Sequence, residues 1–205
     1  MKNLFILLIV LLFISCKDST GPENDMLASD YFSLEDGSTW VRRSTNFKMG
    51  RTYVYIDTMT LDGEVLLYGG ISGYRFKDIS SSGQGDCITY VNGEIRLYYY
   101  PPDTIEYHTW IAEPIEVGNE WIMGRDQYGY DDDSYYIAQI GVTCTVPAGT
   151  YENCIKICEK KSPPGEISYL IFAPDIGLIK SEFKRSDGTE HLLMEILKFY
   201  KEMRY

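Results

Sequence analysis

Cysteine is the residue type with the widest chemical scope in this sequence. Cys16 follows an apolar leader, and the remaining four cysteines are Cys87, Cys144, Cys154 and Cys158. An exported chain meets an oxidising compartment, so the even number beyond the leader predicts up to two disulfides. Cys144 and Cys154 flank one predicted turn and would pair across a hairpin, which leaves Cys87 and Cys158 for a long-range bridge. Buried thiols are the alternative, and Cys-x3-Cys without a nearby histidine gives little support for zinc.

Histidine offers little for acid–base or nucleophilic catalysis. His108 and His191 are the two histidines of the chain, and they lie far apart in the sequence. The sequence has neither a Gly-x-Ser-x-Gly elbow nor a His-Glu-x-x-His pair. We therefore predict no catalytic residues, no cofactor and no enzymatic activity. A hydrolase that uses His108 or His191 with nearby acids is the less favoured alternative.

Carboxylates cluster at Asp126 and Asp131-Asp132-Asp133. Calcium prefers oxygen ligands of this kind, but the spacing is not that of an EF-hand. Three adjacent acids in an extended segment cannot all face one ion, because successive side chains alternate. We interpret the cluster as a solvated acidic loop and predict no metal site.

Aromatic side chains are the remaining candidates for binding. The chain has 18 tyrosines, and such rings offer an apolar face with a polar handle that suits glycans or protein partners. The candidate ligand-binding residues are Tyr98, Tyr99, Tyr100, Trp110, Tyr128 and Tyr130. Packing of alternate rings in the core is the competing interpretation, and scattered surface aromatics are normal.

The first 15 residues predict a signal peptide. Lys2 provides the positive start, and Leu4 to Ile14 is an apolar run that is too short to span a bilayer core of about 30 Å. Phe13-Ile14-Ser15-Cys16 resembles the lipobox of bacterial lipoproteins, with Phe13 where leucine is usual. The resemblance implies cleavage before Cys16 and acylation of that residue, and several acyl chains together anchor a protein stably.

The residues after Cys16 predict how the domain is displayed. Residues 16–29 are polar and contain glycine and proline, which predicts a flexible tether. Lys17-Asp18 resembles a short version of the surface-export signal of some outer-membrane lipoproteins. We therefore expect a location in the cell envelope, on the outer membrane, with the periplasmic and surface faces both open.

The charge of the chain restricts its partners. The formal net charge is −11, and loss of Lys2 with the leader would make it −12. Phosphates would be repelled, which argues against nucleic acid. Anionic headgroups would be repelled as well, so the acyl chains on Cys16 must provide the membrane contact. The remaining partner classes are a lipid, a glycan or another envelope protein.

Strand-favouring residues recur over residues 30–205 and predict a single β-rich domain. Asn92-Gly93 joins two such runs and predicts a tight hairpin, whereas Leu61-Asp62-Gly63 predicts a turn. We expect a mainly β fold with an antiparallel sheet that forms a curved half-barrel or a barrel-like shape. Residues 191–205 fit a last strand, with a short C-terminal helix as the alternative because their leucines also have helical spacing.

Two glycine–tryptophan segments repeat one frame. Residues 34–41 and 115–122 share the order apolar-Glu-x-Gly-x-x-Trp-apolar, which predicts a turn at the glycine that leads into a tryptophan-bearing strand. One short match does not establish a duplication.

Three segments resemble an uncharacterised family of bacterial lipoproteins. Residues 31–40 resemble a YFPLxxGNxW opening, residues 146–154 a VPAGTFENC turn, and residues 172–180 a YAPGVGLVK segment. Ser33 and Asp175 differ from that pattern. The resemblance implies a β-rich envelope domain and supplies no active-site residues. Our hypothesis is a non-enzymatic envelope lipoprotein that binds an apolar ligand or a partner protein, with a surface glycan- or peptide-binding module as the alternative.

Overall fold

The computed structural model describes residues 26–48, 51–78, 86–98, 107–124, 134–160 and 166–201. Over these residues the chain forms one twelve-stranded antiparallel sheet that is nearly closed into a barrel. The strands are β1 (Ser38–Lys48), β2 (Arg51–Leu67), β3 (Ile71–Asp78), β4 (Cys87–Val91), β5 (Glu94–Tyr98), β6 (Tyr107–Ala112), β7 (Glu120–Ile122), β8 (Ser134–Val146), β9 (Gly149–Lys160), β10 (Ile167–Ala173), β11 (Gly177–Lys184) and β12 (Glu190–Lys201).

The order of the strands follows the chain in both directions from the central pair of β1 and β12. The sheet runs β6-β5-β4-β3-β2-β1-β12-β11-β10-β9-β8-β7. Its two ends meet, because the Thr109 N–H donates to the Met123 carbonyl at 2.7 Å. The Trp121 indole N–H also donates to the Thr109 carbonyl at 3.0 Å. These contacts cover the edges that β6 and β7 would otherwise expose, and the predicted barrel-like β fold is confirmed.

The predicted hairpin at Asn92-Gly93 joins β4 and β5, and Val91 pairs with Glu94. Asn92 has a φ of 51°, which this tight turn requires. The predicted turn at Leu61-Asp62-Gly63 is wrong. The chain passes straight through as the 17-residue strand β2, and the pairing with β3 shifts between Leu61 and Glu64, so the segment is a bulge in a continuous strand.

The repeated glycine–tryptophan frame has the predicted form in both copies. Each segment turns at its glycine and enters a strand, β1 with Trp40 and β7 with Trp121. The Trp40 indole N–H donates to the Ile176 carbonyl at 2.8 Å, as Trp121 does to Thr109. Both tryptophans therefore fasten a strand to a neighbouring element.

The C-terminal segment is a strand. Residues Glu190–Lys201 form β12 and pair with both β1 and β11, so the helical alternative is wrong for these residues. Residues 202–205 lie outside the described part of the chain. The pairing on both sides outweighs the helical spacing of the leucines.

A short 3-10 helix, Ala28–Tyr31, leads into the barrel. Ala28 is completely buried, and its N–H donates to a Glu113 carboxylate oxygen at 2.9 Å. The Asp175 N–H donates to the Asp30 carbonyl at 2.7 Å. Ala28 and Ser29, which the sequence assigned to the tether, therefore belong to the folded domain. Residues 16–25 of the tether lie outside the described residues.

Phe32 follows this helix and enters a cluster of aromatic rings. Its ring centroid lies 5.4 Å from that of Trp40, 6.4 Å from that of Phe76 and 6.0 Å from that of Trp110. Phe172 and Phe199 extend the cluster on either side. Offset and edge-on rings at these distances attract one another beyond their burial, so the cluster forms the base of the barrel core.

Candidate functional site

The candidate site is an open cleft where β1 and β12 separate. Their pairing runs from Ser38↔Lys201 to Ser44↔Met194, whereas β1 continues to Lys48 and β12 begins at Glu190. The cleft between the two strands measures about 450 Å³. Its lining comes from β1, β2, β11 and β12: Arg42, Ser44, Thr45, Asn46, Phe47, Tyr55, Asp57, Leu178, Ser181, Leu193 and Met194.

An ion pair lies at the base of this cleft. Arg42 and Asp57 are direct cross-strand partners on β1 and β2, and the Arg42 Nε donates to an Asp57 carboxylate oxygen at 2.6 Å. The side chains are 22% and 12% exposed, respectively. The Ser44 hydroxyl lies 3.4 Å from the second Asp57 oxygen. Because the two charges neutralise each other, the base is strongly polar without a net charge.

Alternation along the strands explains why these groups meet. Trp40, Arg42 and Ser44 occupy alternate positions of β1 and therefore share a face, and Trp40 is buried in the core. Arg42 follows Trp40 by two positions, and in a strand this spacing indicates that the charged side chain lies on the same face as the tryptophan. Our prediction missed this signal. The position of Asp57 opposite Arg42 depends on the β1–β2 register, which the sequence did not provide.

Beneath the ion pair the barrel is packed. Phe32, Trp40, Met59 and Trp110 enclose, together with Arg42, Leu178 and Met194, a space of about 10 Å³. Such a space is about the size that one water molecule needs. This enclosed space is too small for an acyl chain.

Of the predicted aromatic binding residues, the structure describes Tyr98 and Trp110. Tyr98 is 5% exposed and its ring packs against Tyr107 at 5.4 Å, while Trp110 packs between Phe32 and Phe172. Tyr98 is therefore a buried residue, and Trp110 is partly buried against the core. Tyr99, Tyr100, Tyr128 and Tyr130 lie outside the described residues, as do Asp126 and Asp131-Asp132-Asp133.

The four cysteines that were candidates for disulfides are buried free thiols in the structure. On the β8–β9 hairpin, Cys144 pairs with Tyr151 and Cys154 with Val142. Cys87 on β4 and Cys158 on β9 lie on well-separated strands of the sheet. Cys16 lies outside the described residues.

Burial keeps these thiols protonated. It raises the pKa of Cys154 to about 11, and desolvation is also the largest cause of the raised pKa of Cys87, Cys144 and Cys158. The thiolate is the nucleophilic form, so these residues are poorly disposed to attack a substrate at neutral pH.

The two histidines are not brought together. His108 lies on β6 opposite Leu97, and His191 lies on β12 opposite Phe183, six places away in the strand order. The His191 ring packs edge-on against Phe47 with centroids 4.7 Å apart. No cluster of three or more metal-ligating side chains occurs among the described residues.

Within the described ranges, no helix has the length and apolar character needed to cross a membrane. The described residues form an antiparallel, nearly closed barrel. Aromatic side chains pack part of its interior, and a cleft lined by both polar and apolar side chains lies between β1 and β12.

Comparison with known proteins identifies similar solved structures. No protein-family model and no curated protein sequence matches the chain. An exported protein with a YmcC-like fold from Bacteroides fragilis is 14% identical, with a TM-score of 0.49, and the match covers 83% of this chain and 98% of that chain. A candidate lipoprotein from Parabacteroides distasonis is 16% identical, with a TM-score of 0.44 and the same coverage. We draw no functional argument from similarity at this level.

Proposed function

We propose that the chain is a non-enzymatic, lipid-anchored protein of the bacterial cell envelope, on the outer membrane, that binds an amphiphilic ligand in the cleft between β1 and β12. The anchor is supported by the leader and by Cys16 in its lipobox context. The absence of enzymatic activity is supported by the separated histidines and by the protonated state of the buried thiols.

One observation carries the binding proposal: the cleft combines an apolar wall with an uncharged but strongly polar base. Phe47, Leu178 and Leu193 line the cleft, and burial of apolar surface at such side chains favours an apolar ligand segment by about 25 cal/mol per Å². The Arg42–Asp57 pair and the Ser44 and Ser181 hydroxyls supply hydrogen-bonding groups at the base. Pockets of this composition bind ligands whose orientation is fixed by a few polar contacts.

These features define the ligand class. Arg42 and Asp57 satisfy each other's charge, so a strongly ionic head would have to break their contact. A head that is rich in hydroxyl or amide groups would instead bind beside the pair, while a short apolar segment lies against Leu193 and Phe47. This ligand class is narrower than the apolar ligand of our sequence hypothesis: it adds a polar head to a short apolar segment.

A simple alkyl glycoside tests the cleft directly. Octyl glucoside has an uncharged, hydroxyl-rich head and a short tail, and we expect it to shift the amide NMR resonances of Ser44, Asp57 and Leu193 below its micellar concentration. Leu193→Asp removes apolar wall and should weaken these shifts at least several-fold. Leu66→Asp is the matched control, because Leu66 is 69% exposed and does not line the cleft. Shifts that spread over other strands, or that survive Leu193→Asp, would refute the site.

The anchor has a separate test. Cys16→Ala should abolish fatty-acid labelling and release the protein from membranes, because acylation requires the thiol and the new amino terminus. Labelling that persists in the variant would show that the anchor is assigned to the wrong residue.

A further inference from the structure

The ends of β1 and β2 form a two-stranded ribbon that extends beyond the packed part of the barrel. We define the ribbon as residues 45–48 and 51–56, which pair from Thr45↔Val54 to Lys48↔Arg51. Every residue from Arg51 to Ile56 is exposed. An isolated two-stranded hairpin is only marginally stable in water. The exposed apolar residues of the ribbon do not contribute to the core, so a different role is needed to explain them.

Both faces of this ribbon carry large apolar or aromatic side chains. Tyr53 and Tyr55 share one face and are each 49% exposed, while Val54 and Ile56 share the other and are 61% and 65% exposed. Phe47 on the partner strand is 39% exposed. A groove on a protein partner would cover only one face of the ribbon, whereas the apolar interior of a bilayer would surround both faces.

The sequence around the ribbon is positively charged, whereas the chain as a whole is negatively charged. Residues 41–56 contain Arg42, Arg43, Lys48 and Arg51 and no acidic residue. Arg42 pairs with Asp57, and Arg43 with Glu195. Arg51, which is exposed, lies at the far end of the strand pair, opposite the backbone of Lys48. The acidic body is largely screened there, because the Debye length at physiological salt is about 8 Å and the ribbon extends about 10 Å beyond Thr45.

We propose that the β1–β2 ribbon inserts into the surface of an anionic phospholipid bilayer. Arg51 meets the lipid phosphates, and a cation near an anionic surface contributes favourably. Tyr53 and Tyr55 lie at the headgroup level, where amphipathic rings are favoured. Val54 and Ile56 enter the acyl boundary. The expectation from net charge alone, that anionic headgroups repel the chain, therefore does not hold for this segment.

This proposal goes beyond the cleft and the anchor. Phe47 and Tyr55 of the ribbon also line the cleft, but Val54 and Ile56, which the test replaces, do not. It is compatible with a tether on Cys16. Met26 is the tenth residue after Cys16, and an extended chain of that length reaches about 35 Å.

Vesicle sedimentation tests the ribbon without the lipid anchor. The chain from Lys17 to Tyr205, which contains every described residue, is mixed with vesicles of phosphatidylglycerol and phosphatidylcholine or of phosphatidylcholine alone. We expect binding to the anionic vesicles that weakens with added salt. Val54→Ser/Ile56→Ser should bind roughly tenfold or more weakly, since two apolar side chains no longer enter the bilayer. Leu66→Ser, at an exposed position on β2 outside the ribbon, should bind like the unaltered chain.

A second measurement keeps the test independent of folding defects in the double variant. A Val54→Trp variant should show a blue shift in fluorescence on adding anionic vesicles, while Leu66→Trp should not. Absence of vesicle binding, or unchanged binding by Val54→Ser/Ile56→Ser, would overturn the proposal. So would a soluble dimer that forms through the ribbon and fails to bind vesicles, because the apolar faces would then belong to a second copy.

Discussion

At the scale of single residues, Arg42 and Asp57 decide the character of the cleft. The two side chains are largely buried and satisfy each other, so the loss of one leaves a desolvated charge without its partner. The sequence contained the signal for Arg42 in its alternation with Trp40. It contained no signal for the partner, because many acids could be placed opposite Arg42 until the register is known.

We expect Asp57→Asn to lower the free energy of unfolding by about 1–3 kcal/mol, because Arg42 loses its carboxylate partner. Urea denaturation measures the change. Asp62→Asn is the matched control, since Asp62 and Lys77 form an ion pair at 3.8 Å whose side chains are 48% and 65% exposed; its effect should stay below about 0.5 kcal/mol. Equal effects at the two sites would contradict the role of the buried pair.

Tyr31 makes a prediction about alkaline pH. Burial is the largest cause that raises its pKa to about 12, above the ordinary value of 10.0. The unfolded chain therefore loses this proton first, and its contribution to stability is intact below pH 10 and decreases as the pH rises towards 12. The loss amounts to about 2–3 kcal/mol by pH 12. Tyr31→Phe should flatten this part of the stability profile, whereas an unchanged slope would show that Tyr31 ionises normally in the folded protein.

At the scale of elements, local patterns predicted strands better than their connections. Alternation and β-favouring residues placed most strands, and Asn92-Gly93 placed a hairpin, because these signals act over a few residues. Leu61-Asp62-Gly63 was misread as a turn, since a bulge and a turn both favour glycine. Sequence spacing around the β8–β9 turn likewise does not reveal the bulges that shift Cys144 relative to Cys154.

Substitutions at two glycines allow the energetic cost of backbone strain to be distinguished from that of a steric clash. Gly63 and Gly177 both have positive φ values, 82° and 104°. A methyl group at Gly63 meets open space, whereas one at Gly177 would lie 2.7 Å from the Phe32 ring. We expect Gly63→Ala to cost about 1 kcal/mol from strain alone, and Gly177→Ala to cost about 2–4 kcal/mol because the aromatic cluster must also move. Thermal and urea unfolding measure both, and similar costs would contradict the close packing of Phe32.

At the scale of the whole molecule, the sequence predicted a barrel-like sheet but not where it closes or opens. Closure depends on the meeting of Thr109 with Met123, and the cleft depends on the separation of β1 from β12 after Ser44. Both are properties of long-range pairing, and no local pattern encodes them. The candidate site is therefore a cleft lined by four strands, whereas Tyr98 among the predicted aromatic residues is buried.

The most direct test of the account is native mass spectrometry of the mature protein, purified gently after export. If the cleft binds an amphiphile from the envelope, part of the protein should carry an added mass that extraction with organic solvent removes and identifies. Leu193→Asp should lose most of this added mass, and Leu66→Asp should keep it. A bare mass for the unaltered protein, or an added mass that Leu193→Asp retains in full, would contradict the proposal that the cleft is the ligand-binding site.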